Sequence, residues 1–165
     1  MLRDPSLIPL SHQHQHGLAL AVLIDRGLKA DPSPQKATEL CRMVADMFEL
    51  ELVHHFEVEE QVLFPALRGR LASDGILDQL ISQHREMESL TSRIAAAPEA
   101  ERNPLLTKFG ELLSRHIRIE ERQLFEEIQE KVQPEDLSEL GAQIDGRLLK
   151  VCPSSGRLPW DKDPE

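Results

Sequence analysis

Hydrophobic positions along this chain recur at spacings of three and four residues, which is the period of an amphipathic α-helix. The pattern predicts four long helices, covering residues 11–29, 34–67, 76–96 and 105–131. Prolines and the Ser73-Asp74-Gly75 cluster mark the breaks between them. A weaker fifth helix is predicted over residues 135–149, followed by an irregular tail with Trp160 as its only anchor.

Four long helices joined by short breaks predict an all-α protein, with an up-down-up-down four-helix bundle in which consecutive helices are antiparallel neighbours. The composition agrees, since only 4% of residues are aromatic and Tyr is absent, so few residues favour a sheet. A length of 165 residues fits one domain. We expect a lead-in at residues 1–9, the bundle at 10–131, and a short helix with the tail at 132–165.

The formal charge of -10 argues against nucleic acid or an anionic membrane as a partner. No apolar run is long enough to cross a membrane, and the amino terminus lacks a secretory signal. Cys41 and Cys152 show no disulfide or metal-binding spacing. A cytoplasmic location is therefore expected, and the sequence identifies no protein partner.

One stretch of the chain occurs twice. Residues 55–64 read HFEVEEQVLF, and residues 116–125 read HIRIEERQLF. A spacing of four residues puts the His and the first Glu of each copy on one face of a helix. Two such pairs that face each other would form a metal site.

Steps of three and four residues indicate which of these side chains face inward. From His55 they reach an apolar stripe that includes Glu59, whereas from His54 they reach Glu and Gln residues. In the second copy, His116 and Glu120 likewise lie in an apolar stripe. The interpretation places His54 on the surface and these two His-Glu pairs inside. The remaining charges of the two copies are interpreted as outward: Glu60, Glu121 and Arg122.

Another inward pair is predicted on the third helix, where His84 lies among apolar residues and Glu88 follows four residues later. On the first helix nearly every position is apolar, so periodicity does not choose between His14 and His16, with His12 as a further candidate. At about 1.5 Å per residue, four histidines fall within about 12 Å along the bundle: His14, His55, His84 and His116.

Several buried carboxylates are costly unless a cation compensates their charge; the alternative is a set of hydrogen-bonded His-Glu pairs without metal. Imidazoles and carboxylates suit iron or manganese better than zinc. Two divalent cations carry four positive charges. Glu59, Glu88 and Glu120 supply three negative charges, and a bridging hydroxide would complete neutrality, with carboxylates from the second and fourth helices as bridges.

Four passages in this order resemble the hemerythrin-like (HHE cation-binding) family: LSHQH at residues 10–14, HFEVEEQVLFP at 55–65, QHREME at 83–88 and HIRIEER at 116–122. The resemblance covers residues 10–131. It implies a four-helix bundle that holds a non-haem di-iron centre able to bind dioxygen. The family's ligand pattern also favours His14 over His16 and maps onto His14, His55, Glu59, His84, His116 and Glu120.

The chain departs from the dioxygen carriers of that family at Glu88, where they have a second His on the third helix. A carboxylate ligand there would favour ferric iron. We therefore expect a di-iron protein that binds dioxygen or a related small oxidant in sensing or in iron and oxidant homeostasis, with manganese or zinc as alternative metals. A second hypothesis is a di-iron oxidase or peroxidase, although no catalytic residue is identified. A third is a metal-free or zinc-bound helical interaction module.

Overall fold

The structure, a computed structural model, describes residues 2–151, 158 and 160, which contain five helices and no strand. The predicted all-α class is therefore confirmed. A short 3-10 turn, Pro5–Leu7, precedes the first helix. The helices are α1 (Ile8–Ala30), α2 (residues 34–67), α3 (Gly75–Ala96), α4 (residues 99–131) and α5 (Pro134–Val151).

Helices α2 and α4 contain π turns, in which a backbone N–H donates to the carbonyl five residues earlier. Two of these turns, Glu59–Leu63 and Glu120–Leu124, occupy equivalent places in the two copies of the repeat. They are closed by the N–H of Phe64 on the Glu59 carbonyl and the N–H of Phe125 on the Glu120 carbonyl. A third π turn spans Phe48–Leu52. Such turns are rare and often occur at functional sites.

The helix starts differ from the prediction at two places. Helix α1 begins at Ile8 instead of Ser11, because Pro9 is tolerated in a first helical turn, where an N–H has no partner to lose. Helix α4 begins at Glu99 instead of residue 105, with Pro104 inside it. The sequence predicts Pro104 in the break before this helix, but it lies in the second turn of α4, where its missing N–H leaves one backbone hydrogen bond of the helix unmade.

The apolar side chains form two clusters. One contains residues of α1 to α4 such as Leu20, Met47 and Phe109. The other contains residues such as Leu10 and Phe125 from the same four helices, and α5 packs against it. On α1, α3 and α4 respectively, His14, His84 and Glu120 fall in sequence between residues of the two clusters. Four residues attach α5 to the second cluster: Leu137, Leu140, Ile144 and Leu148.

Glycines allow two close approaches. A Cβ atom added at Gly17 of α1 would lie 2.8 Å from Cδ1 of Ile117 on α4. A Cβ atom added at Gly141 of α5 would lie 2.5 Å from Cβ of Ser6, in the turn before α1. Helix α5 is thus longer and more tightly packed than the weak helix that the sequence predicts.

In the tail, Leu158 and Trp160 are partly buried against the first cluster. Leu158 therefore joins Trp160 as an anchor. The rest of the predicted tail, including Cys152, lies outside the described residues. Within the described part of the chain, no helix has the length and apolar character needed to span a membrane.

Candidate metal centre

A layer of ionisable side chains lies buried among the apolar residues of α1 to α4. Helices α1 and α3 contribute one histidine each, and α2 and α4 contribute one histidine and one carboxylate each. None of the six side chains is more than 3% exposed. They are His14, His55, Glu59, His84, His116 and Glu120.

One half of this layer is built from α1 and α2. Nε2 of His14 lies 3.0 Å from Nε2 of His55 and 3.0 Å from Oε2 of Glu120. Nε2 of His55 lies 3.1 Å from Oε1 of Glu59. These four side chains can each direct one donor atom at a common point.

The other half, built from α3 and α4, repeats this arrangement. Nε2 of His84 lies 3.2 Å from Nε2 of His116 and 3.2 Å from Oε2 of Glu59. Nε2 of His116 lies 3.3 Å from Oε2 of Glu120. Glu59 and Glu120 therefore belong to both halves, which have two imidazoles each and share the two carboxylates.

The outer nitrogen of every imidazole faces an acceptor. Nδ1 of His55 lies 2.8 Å from the amide oxygen of Gln13. On the other half, Nδ1 of His116 lies 2.9 Å from the amide oxygen of Gln83. An amide oxygen only accepts, so these two histidines carry their proton on Nδ1 when they are neutral. Their Nε2 lone pairs are then directed into the layer.

The two remaining histidines are bonded to carboxylates. Nδ1 of His14 lies 2.6 Å from Oε1 of Glu121, and Nδ1 of His84 lies 2.8 Å from Oε1 of Glu60. Arg3 in turn donates from Nη2 to Oε2 of Glu121 over 2.7 Å. A carboxylate behind an imidazole fixes its tautomer and raises its basicity, which is how metal-bound histidines are commonly held.

This donor set fits a cation. When the imidazoles are neutral with their proton on Nδ1 and both carboxylates are ionised, four Nε2 lone pairs and the two carboxylates converge with no proton between them. The carboxylate oxygens of Glu59 and Glu120 are buried and accept no hydrogen bond. Ligands that bind one ion at about 2.0 to 2.2 Å lie roughly 3 Å apart, which matches the separations of 3.0 to 3.3 Å within each half. Metal ions between these atoms would satisfy all of them.

Without a cation, the pKa values of the two carboxylates are shifted in opposite directions. Burial and the negative charge of Glu59 raise the pKa of Glu120 to about 8. Burial also opposes ionisation of Glu59, but the neighbouring His55 and His84 hold its pKa well below the usual value. The protein alone therefore keeps one carboxylate ionised and the other protonated at neutral pH, because two charges so close together repel.

The histidines also titrate unequally. Burial lowers the pKa of His14, but the adjacent carboxylates of Glu120 and Glu121 outweigh burial and raise the pKa to about 10. Burial and the positive charge of His84 hold the pKa of His116 well below its usual value. Bonds to His14 and Ser11 outweigh the burial of Glu121 and lower its pKa to about 2. A metal ion must displace the proton from His14 before it can bind there.

Glu88 lies outside this layer, so the structure differs from the prediction that Glu88 points inward with His84. Its side chain is 38% exposed and accepts from Nη1 of Arg85 over 2.6 Å. The same spacing of four residues leaves Glu59 and Glu120 buried, so the pairing of Glu88 with Arg85 at the surface, and not the spacing, distinguishes Glu88 from them. Glu88 at this surface position gives no ground for expecting ferric iron to be favoured.

The other histidines lie away from the layer. His16 is half-buried, and its Nδ1 lies 2.9 Å from a carboxylate oxygen of Glu51, whereas His12 is exposed. His54 is half-buried, with Nδ1 3.6 Å from Oε2 of Glu57. Of the three candidate histidines on α1, only His14 lies beside the other candidate ligands.

Four residues that contact the imidazoles were not predicted: Gln13, Gln83, Glu60 and Glu121. The interpretation of Glu60 and Glu121 as outward charges is corrected, since each is bonded to a buried histidine, while Arg122 is exposed as predicted. Two sequence signals accompany them. A Gln precedes the histidine on both α1 and α3, and both copies of the repeat carry Glu-Glu where one carboxylate would serve as ligand.

Aromatic rings stack on two of the imidazoles. Phe56 stacks on His84 with ring centroids 4.0 Å apart, and Phe125 stacks on His14 at 5.4 Å. Beside the layer lies a cavity of ≈ 10 Å³, lined by residues that include His14, His55 and His116. Only a molecule about the size of water fits a space this small.

Comparison with known families agrees with this geometry. Residues 9–128 match the model of the hemerythrin HHE cation-binding domain. The chain belongs to this family, and its buried His/Glu clusters fit a metal-binding helical protein. Searches of curated proteins and of solved structures returned no match.

Proposed function

We propose that this chain is a non-haem di-iron protein that binds dioxygen or a related small oxidant, in oxygen or redox sensing or in iron and oxidant homeostasis. The observation that carries the proposal is that Glu59 and Glu120 are shared by two half-sites, each with two further imidazoles. In this proposal α1 to α4 form an up-down-up-down bundle. A cytoplasmic location and the lack of a nucleic-acid partner stay predictions.

The donor set favours iron. Each half-site offers two imidazole nitrogens and two carboxylate oxygens, a mixture that suits borderline to hard transition metals. Four protein donors leave coordination positions open on an ion that prefers six, and open positions admit an outside ligand. Manganese suits the same donors. Zinc would be satisfied by four donors, so metal identity has to be measured.

The position of Glu88 favours a role in sensing a small oxidant over reversible dioxygen transport. The dioxygen carriers that this chain resembles have a histidine at this position, whereas Glu88 is paired with Arg85 outside the layer. The centre therefore has one ligand fewer than that pattern and is symmetric, with an additional open position. More open coordination favours reaction with small oxidants over protected, reversible binding, and the small neighbouring cavity limits the size of what can enter.

The test is metal analysis of the purified protein together with absorption spectra under nitrogen, in air and with peroxide. We expect close to two iron ions per chain and a spectrum that changes on exposure to air. A protein that contains zinc, or no metal, would contradict the proposal and favour the interaction module. Steady-state consumption of peroxide by the iron-loaded protein, lost in His116→Ala, would instead indicate an enzyme.

A further inference from the structure

A groove lined by arginines runs between α1 and α4 on this otherwise acidic protein. Its volume is ≈ 690 Å³, and its walls include Arg26 from α1 and a row of three arginines from α4. Arg115, Arg118 and Arg122 follow each other at spacings of three and four residues, so they share one face of α4. Two carboxylates, Asp25 and Glu111, also line the groove, so its four arginines leave a net positive charge there, on a chain whose formal net charge is -10.

These arginines are not used to hold the fold together. Among the described residues, six arginines form neither an ion pair nor a side-chain hydrogen bond, and four of the six line this groove. Like charges one helical turn apart repel each other. Asp25, on the opposite wall, is already paired with Lys29. A bound anion would reduce the electrostatic repulsion between these arginines.

The groove also offers apolar surface and polar donors. Val22 is 46% exposed there, and the hydroxyl groups of Thr107 and Ser114 lie along the α4 wall. An adjoining groove of ≈ 330 Å³ shares Val22, Ser114 and two of the arginines. A space of this size is typical of small-molecule sites, with apolar walls and a few charged anchors.

We propose that this groove binds a phosphate-bearing organic anion of about nucleotide size. Arginine forks bind phosphate oxygens in pairs of parallel hydrogen bonds, and three forks on one face suit more than one phosphate group. The exposed Val22 provides a surface for the organic part. An acidic helix of a partner protein is the competing occupant, which the titration below tests.

The place of the groove relative to the metal layer is also defined. Glu121 lines the adjoining groove, and its Oε1 lies 2.6 Å from Nδ1 of His14. A bound anion would thus lie one side chain away from a candidate ligand. The binding itself does not depend on any metal and stands whether or not the di-iron proposal holds.

The test is calorimetric titration of the full chain with ADP, with inorganic pyrophosphate and with adenosine. We expect saturable binding of ADP, weaker binding of pyrophosphate and none of adenosine. The double variant Arg118→Gln with Arg122→Gln should weaken ADP binding by about tenfold or more, because each hydrogen bond to a charged group contributes strongly. Arg93→Gln, which removes an exposed and unpaired arginine from α3, should bind ADP like the parent protein.

Three results would overturn the proposal. The first is no saturable binding of ADP by the parent chain up to about 1 mM, the weak end of specific recognition. The second is equal ADP affinity in the double variant and the parent, with circular dichroism showing both folded. The third is displacement of ADP by a Glu-rich helical peptide at lower concentration, which would indicate a protein partner instead.

Discussion

Glu121 stands directly behind His14, with Oε1 of the carboxylate 2.6 Å from Nδ1 of the imidazole. The same carboxylate accepts from Ser11 over 2.7 Å and from Arg3 over 2.7 Å. Glu60 stands behind His84 in the other half, where Arg85 holds it. The second Glu of each repeat copy therefore positions a histidine that belongs to another helix.

Glu121→Ala should weaken metal binding without removing a ligand. The substitution leaves Nδ1 of His14 without its acceptor, so the ring loses its fixed orientation and part of its basicity. Loss of such a partner typically costs about 10- to 100-fold in metal affinity. Competition with a chelator measures the effect, which should concern one of the two ions. Glu57→Ala, an exposed carboxylate of α2, is the control and should bind metal normally.

Glu120→Gln should lose at least one metal ion per chain, because Glu120 contributes to both half-sites. An amide supplies one neutral oxygen donor and cannot bridge two cations as a carboxylate does. His54→Ala should keep both ions, since His54 lies outside the layer. Metal content per chain after desalting distinguishes the two variants. Metal loss in His54→Ala with retention in Glu120→Gln would reverse the assignment of faces on α2 and α4.

Glu88→Gln should retain both metal ions and the parent spectrum. The side chain is bonded to Arg85 at the surface, so its charge influences the layer only through solvent. Metal analysis and the absorption spectrum of the loaded variant provide the measurement. A shifted spectrum or loss of one ion would show that Glu88 moves inward and ligates, as the sequence pattern suggested.

The spacing of apolar residues predicts the helices and five of the six buried candidate ligands, whereas the choice of His14 over His16 comes from the family resemblance. His55 and Glu59 lie within an apolar stripe, and periodicity is enough to identify them. Glu88 lies at the edge of such a stripe, where periodicity does not decide between core and solvent. Its partner Arg85 lies on the same helix. Whether Glu88 pairs with Arg85 at the surface or turns into the buried layer depends on how the helices pack.

The residues that bond to the outer nitrogens of the imidazoles were harder to predict, because their roles depend on contacts between helices. Glu60 belongs to α2 but bonds to His84 of α3, so its role depends on how two helices pack. The π turns that begin at Glu59 and Glu120 add a residue to one turn, and no propensity rule predicts them. They also rotate the following segment, which places Leu63 and Phe64 in the core.

Helix α5 allows a matched test of packing. Gly141→Ala and Gly146→Ala make the same gain in helix propensity, about 1 kcal/mol. The new Cβ at position 146 meets nothing within 4 Å, whereas at 141 it would lie 2.7 Å from Cα of Ser6. Gly146→Ala should therefore stabilise the protein, and Gly141→Ala should destabilise it by about 1 to 3 kcal/mol through overpacking. Denaturant unfolding measures both, and equal effects would show that α5 does not pack on the amino-terminal turn.

The metal-free protein should lose stability as pH rises from 6.5 to 8. Burial and Glu59 raise the pKa of Glu120 from 4.5 to about 8. Burial opposes the protonation of His14, but Glu120 and Glu121 raise its pKa from 6.5 to about 10. Between pH 6.5 and 8 the folded state therefore holds protons that the unfolded chain has released. The free energy of unfolding falls with pH wherever the folded state binds more protons.

The groups with lowered pKa values act outside this interval. His116 destabilises the fold only below pH 6.5, because there the unfolded chain takes up a proton that the buried ring does not. Denaturant unfolding of chelator-treated protein between pH 6.5 and 8 measures the slope, and Glu120→Gln, which cannot titrate, should flatten it. Metal affinity should rise over the same interval, since binding displaces these protons. Stability that increased with pH in the metal-free protein would mean that His14 and Glu120 do not share the buried layer.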